Sequence, residues 1–96
     1  MPELFTIEEA RALQGQYLIV ARNLMAPDSV SGDEYCVLPE NQTVHVVGLD
    51  AHYTEVGTPA ARIVVQHYGH LIENNRILPS VHFIDRTTYE EHFILA

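Results

Sequence analysis

Lysine and tryptophan are both absent from this 96-residue chain, and cysteine occurs once. Each absence excludes something. Without lysine, the five cationic residues are arginines: Arg11, Arg22, Arg62, Arg76 and Arg86. They are scattered, so no basic stripe exists to track a phosphate backbone, and direct binding to nucleic acid is not expected. Absence of lysine is read as a bias of genomic base composition, not as a functional device. A lone Cys36 cannot form an intramolecular disulfide, which suits a reducing compartment. Long apolar runs are missing too. QYLIVA is too short to cross a bilayer, and MPELFTIEEARAL carries acids where a secretory signal needs bases. The expected location is the cytoplasm, away from membranes. The glycosylation acceptor pattern Asn41-Gln42-Thr43 then has no meaning. GxxxxGK[ST], GxGxxG and GxSxG do not occur, which removes the usual phosphate loops, dinucleotide loops and nucleophile elbow.

The composition that remains is 47% hydrophobic and 19% charged, which suits a folded globule. Its length predicts a single domain spanning 1–96. A domain this small buries a modest fraction of its surface, so burial against a second copy would help it, and a homo-oligomer is expected. Thirteen acids against five bases give a formal net charge of −8. That excess favours solubility, or attraction to a basic partner.

Thr6 and Glu9 form a capping box for a short helix whose apolar face is Ile7, Ala10 and Leu13, with Gly15 just past its end. YLIVARNL, residues 17–24, reads as a strand and APDSVSGD, 26–33, as a loop. EYCVL and TVHVVGL read as a hairpin over 34–49 with its turn near 39–42, followed by a polar connection over 50–59. ARIVVQHY, 61–68, is a strong strand. HLIENNRIL is a hairpin around Asn74-Asn75, and SVHFI continues it. Thr87 with Glu90 suggests a second capping box, and Tyr89 and Phe93 share a helix spacing, which favours a short C-terminal helix over a final strand. The expected fold is α+β, with five to six mostly antiparallel strands in a small strongly curved sheet or small β-barrel.

The stretch HYGHLIENNRILPSVH, residues 67–82, holds three of the six histidines. With Asn74-Asn75 as a two-residue turn, Glu73 faces Arg76, Leu71 faces Leu78, and His67 faces His82, while His70 points the other way. A bulge at Gly69 would instead join His67 to His70 and leave His82 alone. Neither register gathers all three. A zinc site needs three or four ligands, so no metal and no cofactor is assigned. A cross-strand polar pair or an interface position is the plainer reading of His67 and His82.

GLDAHYTE (Gly48–Glu55) has a His and a Glu, and PSVH (Pro79–His82) has the Pro-to-His spacing, of the cupin motifs. The HxH pair and the glycine between Pro79 and His82 are missing, so no cupin metal residue is carried over. Asp50 and His52 lie close enough for acid–base work, or for an Asx-type turn with an exposed histidine. Cys36, mid-strand, reads as a buried small hydrophobe rather than a nucleophile.

The lead expectation is a small acidic binding protein without enzymatic activity, an inhibitor or adaptor contacting a protein with a basic, nucleic-acid-binding surface. Anti-defence proteins of mobile elements offer the analogy of size and charge. Tyr53 and Tyr68, with Glu55, Asp33 and Glu34, are the expected contact residues. The first alternative is a small-molecule binder or metal-dependent small enzyme, its site in a barrel mouth or subunit interface, with His67, His82, Asp50 and His52 as the residues to test. The second is a structural subunit of a larger assembly, which an exposed apolar patch would favour.

Overall fold

The computed structural model describes residues 3–27, 30–54, 56–73 and 76–96, with side chains described outside 68–80. In chain order these residues form α1 (Ile7–Leu13), β1 (Tyr17–Val20), β2 (Leu24–Pro27), β3 (Glu34–Leu38), β4 (Thr43–Tyr53), β5 (Pro59–Glu73), β6 (Arg76–Ile84), α2 (Arg86–His92) and β7 (Phe93–Leu95). The fold is α+β, as expected. Five strands make one antiparallel sheet in the order β6-β5-β4-β1-β7, and β2 pairs with β3 in a second, two-stranded sheet. Among the described residues the large sheet ends in two edge strands, β6 and β7, so the expected small barrel does not close.

Alternation builds the core. Leu18 and Val20 on β1, Val44 and Val46 on β4, and Ile63 and Val65 on β5 turn to one face and are fully buried there. Ala10 of α1, Leu38, Ile84, Phe93 and Phe5 close over them. α1 starts as its sequence dictates. The Thr6 hydroxyl accepts from the Glu9 amide at 3.1 Å, and the Thr6 amide donates to the Glu9 carboxylate at 2.9 Å. Gly15 follows at φ 87°, a left-handed conformation that glycine adopts without penalty. α2 is capped differently from the expectation. Asp85, not Thr87, accepts from the Thr88 amide at 2.7 Å. The segment after α2 is also strand, because Phe93–Leu95 pairs with β1.

Three further expectations change. YLIVARNL divides, because Val20 ends β1 and the Ala21 amide bonds the His92 carbonyl at 2.6 Å, turning the chain out of the sheet. β3 and β4 do not form a hairpin. β3 finds β2 instead, through Leu24–Leu38 and Met25–Cys36. Cys36 is exposed rather than buried. The polar stretch 50–59 is largely strand, since β4 runs to Tyr53 and meets β5 from Pro59. Its turn is held by the Thr54 amide on the Thr58 carbonyl at 3.0 Å and by Gly57 at φ 81°.

The β5–β6 hairpin keeps the expected pairs Glu73–Arg76 and Leu71–Leu78, while Asn74 and Asn75 themselves lie outside the described residues. The pairing then skips Gly69 and His70. His67 consequently stands opposite Ser80, and His82 opposite Val65, rather than opposite each other. Two skipped residues preserve the alternation, so His67 and His82 stay on the core-facing side.

Candidate functional site

A single bulge separates the candidate residues into two groups. Val46 pairs with Val65, but Gly48 pairs with Val64, so Val47 is the extra residue. In an unbroken strand Asp50 and His52 would follow Val44 and Val46 into the core. The bulge reverses their side, and they lie on the open face across from Arg62 and Ala60. His67 and His82 stay on the other face. The four residues named as a possible site are therefore not brought together.

On the open face, Asp50 is the hub. Its Oδ2 lies 2.7 Å from Nη2 of Arg62 and 2.7 Å from Nε2 of His52. Arg62 and the histidine hold the Asp50 carboxyl below the ordinary carboxylate range, Arg62 contributing most. The Arg62 guanidinium also lies 4.9 Å from the centre of the Phe83 ring. The arrangement orients an imidazole and a guanidinium beside one carboxylate. All three side chains are about one-third exposed or more, so water screens the pairs.

On the core side, His67 is buried and its Nε2 is 3.1 Å from the Gln42 side-chain oxygen. His82 is half-buried, and burial pushes its pKa below the ordinary value. Among the described residues the buried side-chain nitrogens without a hydrogen-bond partner are His82 Nε2 and Arg62 Nε. Both residues line one open groove of about 390 Å³, between β2–β3 and the β6 edge. A larger open groove of about 600 Å³ runs between residues 3–6 and the β4–β5 turn, with Phe5, Val56, Pro59 and Arg86 in its walls. It contains none of the candidate catalytic residues.

Among the expected contact residues, Tyr53 ends β4 and is 78% exposed. Asp33 and Glu34 are exposed at the start of β3. Glu55 lies outside the described residues, as does the Tyr68 side chain. Reading the sequence missed Arg62 as the cation of the Asp50 cluster. The β4–β5 register sets that contact, and no local signal in the chain announces it.

Acids gather on the helical layer. Arg86 of α2 pairs with Glu3, with Glu9 of α1 at 3.4 Å and with Glu90 at 3.9 Å. Glu8 and Glu91, next to Glu9 and Glu90 in the chain, are exposed. Among the described residues no group of three or more His, Cys, Asp and Glu could hold a metal ion, and no helix is long and apolar enough to cross a membrane. No family model matches the chain, and neither a curated protein nor a solved structure matches it.

Proposed function

We propose that this chain is a small cytoplasmic binding protein that works without catalysis, through its acidic helical layer, on the basic surface of another protein. The observation that carries this reading is the gathering of Glu3, Glu9 and Glu90 around one pairing cation, Arg86, with Glu8 and Glu91 exposed next to them in the chain. The target is of the nucleic-acid-binding kind, whose cationic surface such a layer would cover, and the chain is its inhibitor or adaptor. Complementary charge of this sort steers encounter and selects partners more than it deepens affinity. The register shifts in β4 and β5 favour a strongly curved sheet behind that layer.

The test is affinity capture from cells followed by a salt series on each captured protein. A basic partner is expected, released by about 0.5 M NaCl and lost with the double variant Glu90→Gln, Glu91→Gln. A partner that stays bound at that salt, or ignores the variant, removes the electrostatic reading.

One observation favours a second reading, a small-molecule site. His82 and Arg62 line one groove, each with an unpartnered buried nitrogen, and Arg62 ties that groove to Asp50 and His52. Alanine at His82, Asp50 and His52 would then abolish ligand binding or turnover. Unchanged behaviour in every variant would discard that reading.

A further inference from the structure

The open face of the large sheet breaks the usual pattern. An antiparallel sheet with one covered face ordinarily alternates apolar inward and polar outward. Here the outward positions of all five strands include Tyr17, Val47, Val64, Val81, Phe83 and Ile94. Tyr17 is 55% exposed, Val47 41%, Val81 49%, and Phe83 and Ile94 53% each. The register puts Ile94 beside Ile19 and Tyr17 beside His45 toward one edge, and Val64 beside Phe83 toward the other, with His45 opposite Gln66 and Gly48 opposite Val64 between them. At the β6 end Val81 and Phe83 also line the groove against β2–β3. Tyr17 stacks on His45 with ring centres 4.5 Å apart, and the Arg62 guanidinium lies over the Phe83 ring. The charged side chains among the described residues of this face are Asp50 and Arg62, and they neutralise each other at 2.7 Å.

We propose that this face is the docking surface for a second copy of the chain, related to the first by a twofold axis, so that two sheets pack face to face. The proposal gives the expected homo-oligomer its interface. Charge points to a second copy. Each chain carries −8, so two copies can meet only where acids do not oppose acids. The open face meets that requirement, and the helical layer does not. Two sheets stacked about 10 Å apart, each backed by a helix layer about 10 Å thick, leave the two acidic layers roughly 30 Å apart. That is several times the Debye length of about 8 Å at physiological ionic strength. A face without net charge also offers nothing for a charged partner of another kind to recognise.

Size is consistent with a weak contact. The strands are unequal in length, β1 having two outward positions and β7 one. With strands about 4.8 Å apart and outward rows about 6.7 Å apart, about fourteen described outward positions make a patch of roughly 450 Å². Two such patches bury about 900 Å², below the standard size of stable interfaces and in the range of weak ones. The dimer is accordingly expected to dissociate in the micromolar range or above it.

Sedimentation velocity over about 1 µM to about 1 mM tests this. The wild type is expected to pass from monomer to dimer, more readily when ammonium sulfate is added, since excluded salts strengthen apolar burial. Phe83→Glu and, separately, Ile94→Glu are expected to raise the midpoint at least about tenfold. Glu91→Gln, on the helical layer, leaves it in place. Circular dichroism of the dilute variants checks that they fold. If one variant does not, concentration-dependent amide shifts in the wild type, centred on Tyr17, Val64 and Phe83, carry the test alone. A chain that stays monomeric at the top concentration overturns the proposal. So does a dimer that survives both substitutions, because its interface then lies on a strand edge or the helices. Failure here leaves the acidic-layer reading standing, because that reading is tested by loss of a different partner as salt rises.

Discussion

His82 shows what a single side chain does to the pH response. It projects from β6 beside Val65, and burial lowers its pKa from the ordinary 6.5. The unfolded chain therefore takes up this proton before the folded chain does. Stability from this residue is full above about pH 6.5, falls as pH drops below it, and stops falling once the folded pKa is passed. Asp50 adds a separate and lower window. Its depressed pKa contributes stability above its ordinary 3.8, which is lost as pH falls through the folded value. Urea midpoints measured from about pH 7.5 to about pH 5.5 are expected to decline, and His82→Gln to flatten that decline. An unchanged slope in the variant would assign the decline to other groups. The histidine pattern was only partly legible beforehand. That no register joins all three could be argued from alternation alone. That His67 faces Ser80 could not, because the skip of Gly69 and His70 depends on β5 satisfying β4 and β6 together.

Among the elements, β5 organises the rest. It pairs along β4 on one side and β6 on the other, and Phe5 bridges to Ala61 near its start. Ile63 sits at the crossing, opposite Leu49 on one neighbour and Ile84 on the other, with no exposed surface. Ile63→Ala leaves a cavity between strands that cannot both move inward, so a cost of about 2–5 kcal/mol is expected in urea denaturation. A cost within experimental error would mean that the core collapses onto the site. The elements legible in the sequence are those set by near neighbours: α1 through Thr6 and Glu9, and the β5–β6 hairpin through Glu73 and Arg76. The elements misread are set by distant competition. β3 looks like the partner of β4 because a turn joins them. β4 instead takes β1 and β5, and β3 is left to β2. The side change at Val47 is likewise invisible locally. Its only trace is Gly48, a residue that lets a strand kink without losing a side chain from the core.

At the scale of the whole molecule, part of the acid excess gathers around Arg86, while the charged pair described on the open sheet face, Asp50 and Arg62, is neutral in sum. The net charge of −8 is plain from composition, but its placement is not, since Glu3 and Glu9 meet Glu90 only after the chain ends come together. Arg86 is what makes that meeting tolerable. Its backbone amide bonds the Glu3 carbonyl at 2.8 Å, and its guanidinium pairs with carboxylates from the N-terminal segment, from α1 and from α2. Glu9, already bonded by Thr6, has its pKa lowered further by this cation. Removing the guanidinium leaves three carboxylates facing one another at the junction of the chain's two ends. The penalty is then repulsion, and repulsion between exposed groups is screened by salt. At about 20 mM NaCl the Debye length is roughly 20 Å and spans the cluster, while at about 0.5 M it is only about 4 Å. Arg86→Gln is therefore expected to lower Tm clearly at the lower salt, with most of the deficit recovered at the higher. A deficit independent of salt would mean that Arg86 acts by packing its aliphatic stem, and that the acidic layer is stable without a cation at its centre.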